Sequence, residues 1–558
     1  MKARVEEDGI YIECAGLELL KLKAQLAQRV GSQLTSGKGF IRFRLSALPI
    51  VADLIDHAET DGDVGSALER FKQHEAARIR ALEIIELGEQ PALSGNWNNV
   101  LEPAQASAVG AMTVLGLLGL CLFDEQGSGK TVMTLAAFDE LRAKGEIDAM
   151  IVVCPKSMVS EWPKDIARFL APECQVEIAE GDQRQKYETA QRKFDVLVTN
   201  YEGVEPMLVY LMASAFTKRY LLVVDESYYL KNGESYRSEI VDRLRSKCRK
   251  CFVLCGTPAP NSAHDLVNQF DLADLGYTFG GFKKSNNVAE DWDTIATLVD
   301  TKGVFIRRLK PDILQHVPEK NFHVISVELA GKQALMYEKA QSALELELRG
   351  LNNESFKKSL LTYFQKRAAL LQICSCPSSI DPTASEVPVK YTVLDDLLDK
   401  LISQGRKVVL WSFYRKSLDE IMARYSRYRP VRVDGSVTSN VARRDAVRSF
   451  QEDPSTMLFV GNPAAAGAGI TLHAAYDAVY ISYSNQAAHY LQSLDRIHRR
   501  GQVADEVNYY LLICKNTIEE TEVVRLRGKE VRQHDLLGDH ITWPTSLDDA
   551  LQELGAHA

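Results

Sequence analysis

Eight residues, DEQGSGKT from Asp124 to Thr131, hold the densest chemistry in the chain. They follow the apolar run GLCLF and precede VMTLAAFDELRAK, the strand–loop–helix setting in which a glycine-rich loop cradles phosphate. Gly127 and Gly129 let the backbone N–H groups curl inward as an anion nest, and the start of the following helix adds positive dipole. Lys130 is placed to reach the β- and γ-phosphates of a nucleotide, and Thr131 offers a hydroxyl to Mg²⁺. The general pattern begins with glycine where this chain has Asp124.

A second set, DESYYLKN, begins at Asp225 at the end of YLLVVDES. An apolar strand that delivers two adjacent carboxylates to its tip suits a Mg²⁺-dependent nucleotide hydrolase: Asp225 holds the metal, directly or through water, and Glu226 orients and deprotonates the attacking water. A third set lies in LQSLDRIHRRGQ, where Arg496 and Arg499 are spaced to share one face of a helix. Two such guanidinium groups can stabilise charge on a transferring phosphoryl group.

These residues need strands that end abruptly in polar turns, and the chain supplies them. GLCLFDEQG, AMIVVCPKS, FDVLVTNYE, YLLVVDES and CFVLCGTP lie in the first half; KVVLWSFYR, PVRVDGS, TMLFVGNP, DAVYISYS and VNYYLLIC lie in the second. Helical stretches alternate with them, which predicts an α/β fold with two parallel sheets. Ligands in such sheets bind beyond the carboxyl ends of the strands, where the unusual residues are. Helices rich in Leu, Ala, Glu and Lys run from about Gly331 to Cys374, and PSSIDPTASEVPV reads as a linker. Before residue 95 the texture differs, with a possible strand at GFIRFRL and a helix from Val64 to Glu89.

With 558 residues, 46% apolar and 25% charged, the chain is a folded multi-domain protein, and disorder, collagen-like repeats and membrane bundles are poor readings. Its net charge of -9 requires any nucleic-acid site to be a local patch. Ten sparse cysteines point to a reducing compartment, and no structural zinc is expected from Cys248–Cys251 or Cys374–Cys376. The N-terminus does not read as a signal peptide, and the longest apolar run, from Val109, is too short to span a bilayer, so no membrane association is expected.

Together these segments make the sequence resemble the Snf family of helicase superfamily 2, from roughly Asn96 to Arg532. LEPAQ resembles the family's opening signature, VVCPKSMVSEW the next motif, and VTNYE the strand after it. LCGTPAPNSAHDL resembles the GTP motif, FIRRLKPDILQHVPEK the end of the first lobe, and LLQICSCP the end of the helical protrusion. VDGSVTSNVARRDAVRSF, AAGAGITLHAAYDAVYIS and QSLDRIHRRGQ with NTIEE resemble second-lobe motifs. The resemblance implies ATP and Mg²⁺, with Gln105 reading the adenine and Gly467 serving the nucleotide. It implies phosphate contacts to double-stranded DNA through Lys156, Ser157, Asn200, Lys231 and Thr471, with Trp162 as a packing residue. Ala466 and Thr471 replace the more common glycine and asparagine. Tyr228 replaces the usual histidine, which puts a phenol where an imidazole would link the acidic motif to the GTP motif.

The implied architecture is α/β: two RecA-like lobes with parallel sheets, a helical protrusion between them, and a small N-terminal accessory domain. The expected divisions are an accessory domain at 1–95, an ATP-binding lobe at 96–325, a protrusion and linker at 326–388, a second lobe at 389–535 and a tail at 536–558. The implied activity is a DNA-stimulated ATPase that translocates on duplex DNA and remodels DNA or protein–DNA complexes without obligatory strand separation. A strand-separating helicase on DNA or RNA and an ATP-gated DNA-binding scaffold in a larger, defence-type complex are the alternatives. Residues 1–95 would recruit protein partners, a weak similarity to annealing-type members lying in RFRLSALPIVADLI. The family's modules for reading histone marks are not recognised, which suggests a bare motor in a prokaryotic or virus-infected cytoplasm, or in the nucleus of a eukaryote.

Overall fold

The computed structural model describes the chain apart from residues 7–8, 31–33, 45–46, 56–58, 61, 260–261, 281, 283, 286–287, 315–316, 385, 438, 467–469, 484–486, 500, 532–545 and 556–558. Two units result, one built on Met1–Leu314 and the other on Gln315–Gln533 with the end of the chain.

The first unit opens with β1 (Lys2–Glu6), β2 (Gly9–Glu13), β3 (Thr35–Gly37), β4 (Phe40–Arg44) and β5 (Glu59–Thr60), ordered β3-β4-β2-β1-β5. Alternate residues Ile10, Ile12, Ile41 and Phe43 point to a core shared with Val64 and Phe71 of the helix Gly62–Leu87. Farther along that helix, Ala77, Ala81 and Ile84 enter the core of the next sheet. A boundary at residue 95 therefore cuts behind a helix that serves both cores.

That next sheet holds β6 (Gly119–Leu122), β7 (Ala149–Cys154), β8 (Val176–Ala179), β9 (Val196–Asn200), β10 (Tyr220–Asp225), β11 (Lys250–Leu254) and β12 (Phe305–Ile306). Its order is β12-β6-β11-β10-β7-β9-β8, and every pairing is parallel. Both faces are buried: Met150 and Val152 join one core, Ile151 and Val153 the other. This is why the central strands read as unbroken apolar runs.

The second unit is a parallel six-stranded sheet of β13 (Glu319–Val327), β14 (Val408–Trp411), β15 (Val431–Val433), β16 (Leu458–Gly461), β17 (Asp477–Tyr480) and β18 (Glu506–Cys514), ordered β13-β18-β17-β14-β16-β15. The division at 325 puts most of β13 in the first lobe, but β13 pairs with β18 from Glu319 to Val327 and belongs to the second sheet. Its half-exposed edge position leaves it without the apolar run that would have marked it. The helices Gly331–Arg349 and Leu360–Ser375 occupy the stretch expected to be the protrusion and share one core. Part of the expected tail is also structural: in the helix Leu547–Glu553, Ala550 joins the protrusion core, and Glu553 accepts from Arg367 Nη2 at 2.5 Å.

All ten cysteines are free thiols, nine of them buried, and burial pushes Cys248 and Cys251 up to about 12, as expected of small apolar fillers. Among the described residues, no helix is long and apolar enough to cross a membrane.

Two buried polar contacts lend themselves to measurement. Lys390 Nζ meets Glu519 Oε1 at 2.6 Å and the Ile481 carbonyl at 2.8 Å, with both side chains fully buried. Lys390→Met strands the carboxylate, so chemical denaturation is expected to show a loss of about 3–5 kcal/mol. In the first unit, His74 Nδ1 accepts the Leu118 N–H at 3.2 Å, and burial, aided by the nearby Lys250 charge, depresses its pKa to about 3. Between about 6.5 and 3 the unfolded chain takes up a proton that the folded chain refuses, so stability falls as the pH is lowered through that window. Urea unfolding at a series of pH values should show this slope, and His74→Gln should flatten it.

Candidate functional site

Three adjacent strands end level with one another. Leu122 of β6 is in register with Leu254 of β11, and Leu254 with Asp225 of β10. The chain leaving them supplies DEQGSGKT, GTPA and the acidic pair at one rim of the sheet. On the other side of β10 follow β7 and β9, with Cys154 in register with Asn200.

The phosphate loop is a preformed turn. Gly127 has φ 84° and Gly129 φ 92°, the left-handed region that glycine enters without strain. A Cβ on Gly129 would lie 2.5 Å from Gln105 Nε2. Lys130 starts the helix Lys130–Ala143, and its ammonium donates to the Asp124 and Glu125 carbonyls at 2.8 and 3.2 Å. Thr131 is half-buried at the same helix start. Ser128 Oγ is buried with no hydrogen-bond partner among the described residues. Backbone nest, lysine, hydroxyl and an unsatisfied buried polar atom are a set that fits a triphosphate and its divalent cation.

Asp124, the departure from the general pattern, is explained by its partner. Arg308, just past β12, grips the fully buried Asp124 with two nitrogens, at 3.1 and 2.5 Å, and also donates to the Ala104 carbonyl. Glu125 accepts the Lys310 N–H at 3.0 Å and lies 3.5 Å from Lys310 Nζ. Arg307 joins the Phe123 carbonyl to the Gly256 carbonyl, the latter at 2.9 Å. The sequence reading missed these three cations. The signal was present: two carboxylates at the end of a buried strand need cations, and RRLK follows the strand next door.

Asp225 is buried, and desolvation raises its pKa against the opposing pull of a 2.9 Å hydrogen bond from Trp162 Nε1 and of the Lys130 charge. Trp162 is therefore a packing residue that also holds the Asp225 carboxylate. Glu226 has φ 54°, a left-handed backbone on a residue other than glycine, and its Oε1 accepts from Gln126 Nε2 at 2.5 Å. Such strain persists where surrounding structure imposes it and clusters at active sites. Tyr201 Oη donates to the backbone carbonyls of Asp225 and Glu226 at 2.5 and 3.2 Å. Gln105 is buried at the start of the helix Pro103–Met112, its Oε1 accepting the Glu102 N–H at 2.9 Å and its Nε2 donating to the Ser128 carbonyl at 2.7 Å.

Tyr228 packs against Tyr229 with ring centroids 4.4 Å apart and planes tilted by 30°. A direct chain of bonds from the acidic motif to the GTP motif runs beside it: Ser227 Oγ donates to Gln269 Oε1 at 2.5 Å, and Gln269 Nε2 donates to the Pro258 and Asp265 carbonyls at 2.6 Å. Lys231 adds an ion pair to Asp265 at 3.5 Å. Of the other rim residues, Lys156 is exposed, Ser157 is half-buried, and Asn200 is half-buried and donates to Glu202 at 2.7 Å.

In the second unit, the helix Ala487–Leu494 stops before the two arginines, which stand in the following turn and not on a helix face. They nonetheless converge: Arg496 Nη1 and Arg499 Nη1 point at the Ile470 carbonyl, at 3.1 and 3.4 Å. Thr471 is the next residue, half-buried, while Gly467 falls outside the described residues.

Residues 77–378 match the SNF2-related domain, more than half of the chain, and residues 389–501 match the Helicase conserved C-terminal domain. The chain is 28% identical over 466 residues to the ISWI chromatin-remodeling complex ATPase ISW1 of Saccharomyces cerevisiae, covering 77% of this chain and 40% of that one. It is 30% identical over 444 residues to the SWI/SNF-related matrix-associated actin-dependent regulator of chromatin subfamily A member 1 of Homo sapiens, covering 73% and 40%. The chain thus spans about two fifths of the length of these relatives. A solved Sulfolobus solfataricus SWI2/SNF2 ATPase core in complex with dsDNA covers 84% of this chain and 98% of its own at 22% identity, with a TM-score of 0.35, too low to add to the fold assignment. For the site itself, Trp162→Phe keeps the buried ring but removes a hydrogen bond to a charged group, an effect of about 1.5–3 kcal/mol. A magnesium titration of nucleotide turnover is expected to shift to roughly tenfold higher concentration. From the matched domains and the rim that carries their motifs, the chain belongs to the SNF2-related domain family, with a helicase conserved C-terminal domain following it.

Proposed function

We propose that this chain is a DNA-stimulated ATPase that translocates on double-stranded DNA and remodels DNA or protein–DNA complexes without obligatory strand separation. The observation that carries this reading is the shared rim of the first unit's parallel sheet. The phosphate loop, acidic pair and GTP segment lie at the ends of β6, β10 and β11, and the candidate DNA contacts follow β7, β9 and β10. A change at the nucleotide thereby has a bonded path to residues that meet DNA.

Lys130 and the nest of Gly127 and Gly129 hold the phosphates, and Glu226 takes the proton from the attacking water. Gln105 keeps one amide hydrogen and one lone pair beyond its two bonds, which matches the donor–acceptor edge of adenine. Thr131 and Asp225 would hold Mg²⁺, which when bound supplies charge neutralisation between the phosphates. Arg496 and Arg499 supply positive charge to the phosphoryl group in transfer, and Gly467 serves the nucleotide, both by the family resemblance. Lys156, Ser157, Asn200, Lys231 and Thr471 contact DNA phosphates, so binding carries no direct sequence readout.

ATPase assays with duplex DNA, single-stranded DNA and RNA, paired with triplex displacement and duplex unwinding, test the reading. Strongest stimulation by duplex, with triplex displacement and no unwinding, is expected, and the stimulation should fall steeply with salt. Unwinding would establish the helicase alternative, and binding without turnover the scaffold. Lys130→Ala and Glu226→Gln are each expected to abolish turnover, the second leaving nucleotide binding largely intact. Arg499→Ala should keep ATP affinity within a modest factor and collapse the rate by roughly 10³-fold or more.

A further inference from the structure

Where the helix Gly62–Leu87 crosses the first unit, basic side chains outnumber their partners. Arg70 projects from the helix, and its Nε and Nη2 are buried with no hydrogen-bond partner among the described residues. Below it, the fully buried Arg245 spends its donors on backbone carbonyls: Leu272 at 2.5 Å, Cys248 at 3.1 Å, Leu118 at 3.0 Å and Ala273 at 2.9 Å. Lys250, also fully buried, donates to the Val114 carbonyl at 2.9 Å. Arg249 is paired to Glu146 at 2.8 Å. Of the remaining carboxylates nearby, Glu75 pairs with Arg78, and Asp274 accepts from Thr278 through Oδ2 while its Oδ1 is buried without a hydrogen-bond partner among the described residues. His74, one turn along from Arg70, is held neutral.

A recess opens at this place, lined by Arg70, Gln73, Gly116, Glu146 and Arg249 among others, with a volume of about 10 Å³. That is room for a single water-sized occupant. A buried guanidinium without an acceptor is costly, and neighbouring cations raise the cost; burial, followed by the charges of Arg245 and Arg249 and opposed by Glu146, lowers the Arg70 pKa only to about 10, so it remains charged at neutral pH. Water would satisfy a donor but add nothing to the partial compensation from Glu146, which is shared with Arg249. A monatomic anion does both; chloride is larger than water, and the exposed Gln73 side chain at the lining gives it the additional room.

We propose that the recess at Arg70 binds a small monovalent anion of chloride size, which fastens the helix Gly62–Leu87 to the loop before β6. The site lies apart from the phosphate loop and does not rest on the ATPase reading.

Thermal unfolding of the full chain in sodium chloride and in sodium gluconate at matched ionic strength provides the test. A saturable rise in unfolding temperature in chloride over gluconate is expected, and Arg70→Met should abolish the difference. Equal temperatures in the two salts, or a difference that survives in Arg70→Met, overturn the proposal. If that variant does not fold, crystals of the unaltered chain grown in sodium bromide decide the matter. An anomalous peak within hydrogen-bond distance of Arg70 Nε or Nη2 supports the site, and water alone at that position overturns it.

Discussion

Desolvation of two carboxylates, Asp124 and Glu125, organises the nucleotide-binding rim. Both are buried at the tip of β6, where an uncompensated charge would be prohibitive. The structure compensates them with Arg308 and Lys310, which leave the edge strand β12 alongside. Because such pairs hold only with good geometry, they fix where the chain leaves β6 and therefore where the glycine turn begins. The Lys130 ammonium then sits on the carbonyls of the same two residues. Charge burial thus does for this loop what a leading glycine does elsewhere.

Around that fixed point, short polar contacts connect neighbouring strand ends. Gln126 reaches from the phosphate loop to Glu226, and its backbone and side chain crowd Gly256 so closely that a Cβ there would lie 2.4 Å from its Cγ. Ser227 and Gln269 continue from the acidic pair to Pro258 and Asp265. Tyr228, the residue that departs from the family pattern, is an aromatic neighbour of this path. A phenol in place of an imidazole thus leaves a bonded connection between the two motifs through Ser227 and Gln269.

The legible part of the structure was the part buried on both sides. Parallel central strands carry apolar residues on both faces, so β6, β7, β9, β10 and β11 announced themselves, as did β14 and β16 to β18. In the two parallel sheets the strands that escaped, β8, β12 and β13, are all at sheet edges, β12 only two residues long and the other two partly exposed, although the edge strand β15 was legible in PVRVDGS; in the N-terminal sheet β1, β2, β3 and β5 escaped as well. Phosphate-loop and acidic-pair residues were readable because their chemistry is local in sequence. Arg308, Lys310 and Gln126 were not, since their roles depend on partners far along the chain or across the sheet. Arg496 and Arg499 were assigned to a helix, but that helix ends at Leu494, ahead of both.

The pairing of β13 with β18 bears on how the polypeptide is made. Among the described residues β13 has no other strand partner, and β18 is the last strand to be synthesised. A ribosome must therefore translate nearly all of the second unit while the backbone groups of Glu319–Val327 stay open to water or to a chaperone, whereas β6, β7 and β9 to β11 can already have closed into a sheet. The earlier half can be native at birth; the later half waits for its final strand, which makes that interval the window in which newly made chains are most exposed to mispairing.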